Sequence, residues 1–164
     1  MKKFFLSLVC LLIATVSVQA QFEKGTILVN TSISGLDLSY SKTEKGHFGF
    51  QAGGAYFFLD NLAVVGELGG DWSSPSDTYK LAAKARYYLD RIGIYFSSGL
   101  QLSSIHFDDK KRDNINDLAV LFELGYAYFL SKTVTLEPAI YWDLSAKDSD
   151  HSKIGFKIGF GFYF

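Results

Sequence analysis

Cysteine and proline are almost missing from this chain, and positive charge is in no surplus. One cysteine, Cys10, and two prolines, Pro75 and Pro138, occur in 164 residues. A lone cysteine excludes an internal disulfide framework and a cysteine-rich metal site. Scarce proline beside 15 glycines and 16% aromatics fits strands better than helices. The 16 basic and 17 acidic residues nearly cancel, so no nucleic-acid surface is indicated. Past the amino terminus no run of 18 apolar residues occurs, so no transmembrane helix is expected there.

One apolar run does exist, at the start. Lys2 and Lys3 precede the stretch from Phe4 to Val18, and Val18-Gln19-Ala20 has the small residues of a cleavage site. The reading is a secretory signal over residues 1–20, cut after Ala20, followed by one domain over 21–164. Cys10 lies inside the leader behind Val9, too large a residue for a lipoprotein site. The exported chain then has no thiol. Its 14 basic residues face 17 acidic ones, a balance of −3.

The remaining sequence alternates with a period of two. In Ile154–Phe164, I-G-F-K-I-G-F-G-F-Y-F, large apolar residues fall at every second position. The residues between them are Gly155, Lys157, Gly159, Gly161 and Tyr163. Such a strand has two faces in different media. The same pattern predicts strands near Thr26–Tyr40, His47–Leu59, Leu62–Trp72, Thr78–Leu89, Ile92–Leu102, Leu118–Leu130 and Val134–Leu144, eight in all. A phase slip at Ser34-Gly35 predicts a bulge in the first. Asp60-Asn61, Asp90-Arg91 and Ser131-Lys132 read as tight turns. The tracts 41–46, 73–77, 106–116 and 146–152 read as longer polar loops. Turns and loops alternate, which puts all loops at one end of the strands and all turns at the other. Small outer-membrane barrels have this asymmetry.

Which face points inward follows from bulk. An eight-stranded barrel interior just accommodates an ordinary set of side chains, and the apolar set here is too large to fit. The other set is glycine, alanine, serine and isolated charges. Those charges balance: Glu67, Asp71, Glu123, Glu137 and Asp143 against Lys80, Lys84, Arg86, Lys153 and Lys157. A paired lumen network is therefore expected, because an unpaired buried ion costs several kcal/mol. Tyr40, Phe48, Trp72, Tyr79 and Trp142 at loop ends and Phe58, Tyr87, Tyr126, Tyr128, Phe162 and Phe164 at turn ends read as two interfacial belts. Pro138 lacks an N–H and should interrupt one ladder. The fold class is all-β: an eight-stranded antiparallel up-and-down transmembrane β-barrel.

With that pattern the chain resembles the small eight-stranded outer-membrane β-barrel family, of the OmpX and OmpA-transmembrane kind. It especially resembles the Bacteroidetes-type outer membrane protein beta-barrel domain. The carboxyl-terminal Lys157-x-Gly159-x-x-Phe162-x-Phe164 is similar to that family's assembly signal. The resemblance implies recognition of these residues by the barrel-assembly machinery, a place in the Gram-negative outer membrane and contact with its lipid. The expected role is structural or surface-interacting, in a monomer without cofactor, with a possible partner at the extracellular loops and none of nucleic acid.

Two other readings can be weighed. A small OmpW-like channel would want an apolar lumen, which the charges oppose. A lipid A-modifying enzyme would use Ser103, Ser104 and His106, or His151 and Ser152, as nucleophile and base. Those residues do not have the His-x-Ser order of the deacylases, so no enzyme is expected. His47, His106, His151, Asp108 and Asp109 show no metal-ligand spacing.

Overall fold

A computed structural model describes residues 22–34, 48–73, 76–89, 92–107, 115–146 and 152–164. The leader, the first strand beyond Ser34 with its bulge, and the Asp90-Arg91 turn lie outside these residues. So do Tyr40, His47, Asp108, Asp109 and His151.

The strands are β1 (Ile27–Ser34), β2 (Phe48–Leu59), β3 (Leu62–Ser73), β4 (Ser76–Tyr88), β5 (Ile94–Phe107), β6 (Ile115–Tyr126), β7 (Tyr128–Phe129), β8 (Val134–Ser145) and β9 (Lys153–Tyr163). Sequence neighbours pair antiparallel, except that β6 and β7 both pair with β8, and β1 pairs with β9 from Leu28↔Tyr163 to Ile33↔Ile158, so the sheet closes on itself. Closure removes every edge, as hydrocarbon requires.

β6 and β7 are one strand interrupted. The β6–β8 ladder stops at Gly125↔Ala139 and β7–β8 resumes at Tyr128↔Leu136 in the same frame. Pro138 lies opposite the gap, while its pairing with Ile158 on the other side is intact. The missing N–H therefore faces β6, and the barrel has eight strands. The strand read from Leu118 to Leu130 is present as these two segments, with its ladder interrupted opposite Pro138.

Ser73–Asp77 departs from the sequence expectation. Loop chemistry predicts a polar tract there, but Ser73 pairs with Ser76 and Trp72 with Asp77. The ladder runs almost to the tip, and only residues 74 and 75 separate the strands. At the other end, Asn61 turns with φ 64°, a left-handed conformation that asparagine tolerates better than most residues. The Ser131 hydroxyl accepts the N–H groups of Thr133 and Val134 at 3.3 and 3.2 Å. The start of β1 and the end of β9 meet at the turn side, where Ile27 N–H donates to Phe164 C=O at 3.0 Å.

The apolar face points out. Leu68 is 66% exposed, and Val64, Leu81, Leu100, Leu124, Ile140 and Phe160 are exposed with it. Their strand neighbours Val65, Glu67, Ala82, Glu123, Ala139 and Gly161 are buried inside. This inversion leaves a continuous apolar wall far beyond what a water-soluble monomer shows.

Candidate functional site

The lumen changes character along its length. At the turn end it is an apolar core: Leu28, Phe57, Ala63, Val65, Tyr88, Tyr95, Phe129 and Tyr163 pack together with Phe22. The expectation of a lumen of small residues and charges misses this region. A sequence signal for it exists in five aromatic doublets: Phe57-Phe58, Tyr87-Tyr88, Tyr95-Phe96, Tyr128-Phe129 and Phe162-Tyr163. In each doublet one ring is buried inside and its neighbour lies on the outer wall, as strand alternation requires. Tyr126 and Tyr128 lie side by side on the outside, tilted by 38° with centroids 6.4 Å apart.

Directly above the rings is an ion cluster. Its centre is Arg86, 1% exposed. Arg86 Nη1 donates to Glu137 Oε2 at 3.0 Å and Nη2 to Glu123 Oε1 at 3.3 Å. Nε donates to Ser97 Oγ at 3.1 Å, and the guanidinium lies 4.2 Å from the Tyr95 ring centroid. Glu67 is 3.9 Å from Nη2. Lys84 bridges Glu67 and Glu123, both at 2.7 Å, and Lys157 adds a contact to Glu123 at 3.0 Å. Three carboxylates thus face three cations in one connected group.

Neutral donors complete the cluster. Tyr95 O–H donates to Glu123 at 3.0 Å, Tyr163 O–H and Thr135 O–H to Glu137 at 3.1 and 2.9 Å, and Asn30 Nδ2 to Glu67 at 3.0 Å. Sequence reading finds the ions by their shared phase. It does not find Asn30, Thr135, Tyr88 or Tyr163 as their partners, because these residues are scattered over four strands that meet only in the closed barrel. Satisfying each lone pair matters, since a half-paired buried network destabilises.

The remaining charges lie nearer the loops. Asp71 forms an ion pair with Lys80. Asp143 is buried and is the register partner of the half-buried Lys153. Six of the ten predicted lumen charges are therefore brought into one cluster, and Asp71, Lys80, Asp143 and Lys153 stand apart from it. A polar recess between the two groups is lined by Gln51, Lys80, Gln101, Tyr141 and Asp143.

The terminal motif divides between the faces. Lys157 and Gly159 are buried in the wall and lumen, whereas Phe162 is exposed outside and Phe164 is 78% exposed. A Cβ on Gly159 would come within 3.2 Å of Thr31 C=O, so the β1–β9 seam leaves little room there.

At the loop end the outward phase turns polar. Tyr79, Leu102 and Leu118 are exposed and apolar, while Asp77, Ser104 and Asn116 beyond them are exposed or half-buried. Ser103 donates to Asp117 C=O at 3.5 Å, Ser152 Oγ accepts Ser145 N–H at 3.3 Å, and His106 is the register partner of Asp77. Among the described residues no group of three metal-ligating side chains occurs.

No protein-family model matches the chain, and no curated protein matches it in sequence. Solved structures do match. The N-terminal β-barrel domain of Pseudomonas aeruginosa OprF gives a TM-score of 0.68 at 14% identity, over 86% of this chain and 98% of that one. Neisserial surface protein A gives 0.65 at 12%, over 85% and 96%. The outer membrane protein OprG from Pseudomonas aeruginosa gives 0.54 at 16%, over 87% and 97%. At these identities the likeness is one of fold, that of small outer-membrane barrels.

Proposed function

We propose that the chain is an integral outer-membrane protein of a Gram-negative cell, a closed barrel that acts as a structural anchor or a surface-interaction platform. The single observation that carries this reading is the cluster at Arg86. It occupies the lumen section with six mutually paired ions and so supports an anchor over a channel for small solutes. The apolar outer wall supports residence in lipid. The loop-bearing end is then the working surface. β4 and β5, with 13 and 14 residues, exceed the roughly 9–11 that a tilted strand needs to span. The polar outward residues Asp77, Ser104 and Asn116 are consistent with tips standing in water beside headgroups, open to a partner. Lys157, Gly159, Phe162 and Phe164 serve, in this reading, as the signal for the barrel-assembly machinery.

Two measurements test the proposal. Unboiled folded protein should migrate differently from boiled protein on a denaturing gel; identical migration with full solubility in the absence of detergent would overturn the membrane barrel. In planar bilayers the folded protein should give no discrete conductance steps, and regular steps would overturn the closed anchor. For the terminal motif, deleting Phe164 should lower assembly in cells while leaving refolding in detergent nearly unchanged. Equal assembly would leave the motif as a strand alone.

A further inference from the structure

We propose that residues 22–26 form a stopper that seals the lumen at the turn end, with Phe22 as its seating side chain. Phe22 belongs to no strand, yet it is 5% exposed. Its ring stacks on Tyr88 with centroids 4.0 Å apart and an interplanar angle of 21°. It also lies 6.1 Å from Phe57, 5.8 Å from Phe129 and 5.9 Å from Tyr163. These rings come from β4, β2, β7 and β9, so one side chain touches widely separated parts of the wall across the mouth.

The backbone holds it there. Asn61 N–H donates to Phe22 C=O at 2.7 Å, Gly25 N–H to Phe57 C=O at 2.8 Å, and Phe57 N–H to Thr26 C=O at 3.0 Å. Lys24 N–H donates to the Asp60 carboxylate at 2.9 Å. Gly25 has φ 96°, which lets the chain turn from the mouth into β1 and which a residue with a Cβ rarely adopts. The tight turn after β2 therefore grips the segment, and the segment places an aromatic ring over the apolar core. Without that ring the core faces water directly from the turn side, while the Arg86 cluster covers it only from the loop side. The strands build the wall, and the stopper keeps the lower lumen dry.

The test places a cysteine inside the core. Ala63 is fully buried and is the register partner of Phe57 and Arg86. The isolated protein with Ala63→Cys is treated with a membrane-impermeant maleimide, with and without Phe22→Ala, against the parent chain as background. Ser103→Cys, on the loop side, is the control. Phe22→Ala should raise labelling at position 63 at least tenfold and leave position 103 unchanged, with Phe22→Leu between the two. Equal labelling at position 63 in a barrel that keeps its heat-modifiable band overturns the stopper. If Phe22→Ala does not fold, Phe22→Leu carries the comparison. If neither folds, the proposal also falls, because a stopper closes a barrel that the strands form without it.

Discussion

Below Arg86 the lumen is filled by rings; at Arg86 it is filled by ions. The two regions solve the same packing problem on the same strands with opposite chemistry. The rings form a small apolar core inside a barrel whose outside is also apolar, so this section is hydrophobic on both faces. The ion cluster forms beside Gly53 and Gly161, where an added Cβ would run into the side chains of Glu67 and Glu137. At Gly125 an added Cβ would collide with the Tyr95 ring, the ring on which Arg86 rests. Small residues in this lumen thus mark where a large side chain from the neighbouring strand lies across the wall. The two regions also differ in tolerance: rings can slide and repack, whereas a charge deprived of its partner cannot.

That difference orders the effects of mutation. Arg86→Ala should cost the most, about 3–5 kcal/mol, because Glu137 and Glu123 lose a buried partner. Urea unfolding from lipid vesicles reads this, and Arg86→Lys should recover only part of it, since an ammonium lacks the planar fork. An unchanged midpoint would mean that the cluster is hydrated and that the two regions are alike. Phe57→Ala should cost about 3 kcal/mol, with Phe22 and Tyr88 relaxing into part of the space. A loss larger than that of Arg86→Ala would reverse the ranking. On the outer wall Leu68→Ala should cost less than about 1 kcal/mol because lipid fills the gap that a protein core would leave empty, whereas Leu68→Arg at mid-strand should cost about 2 kcal/mol. Equal midpoints for the two Leu68 variants would place that wall in water. At the turn, Asn61→Ala should cost about 1 kcal/mol from its positive φ, and Asn61→Gly, the smallest effect of all, close to nothing.

Alternation makes the wall legible in the sequence alone, because lipid and lumen impose opposite demands at every step of a strand. The same alternation places Glu67, Lys84, Arg86, Glu123, Glu137 and Lys157 on one side. It does not say which of ten charges touch. That depends on the stagger of the closed barrel, which brings β4 against β6 and β8 across the lumen. Ser73–Asp77 reads as a loop because serine, proline and aspartate usually break structure, yet here the ladder carries Ser73 and Ser76 to the tip. Phe22 lies beyond the reach of periodicity altogether, since it precedes the first strand and its burial is set by contacts with residues far along the chain. The aromatic doublets are readable, but a doublet reports that one ring faces each way without saying what the inner ring meets.

The Arg86 cluster has an electrical consequence. Voltage across a membrane does work only on net charge that moves through the field, about 2.3 kcal/mol per elementary charge per 100 mV. Lys84, Arg86 and Lys157 cancel Glu67, Glu123 and Glu137 within a single bonded group. A voltage across a membrane would therefore find no net charge to act on within this cluster. Glu137→Gln would leave one positive charge uncompensated and give the field something to pull.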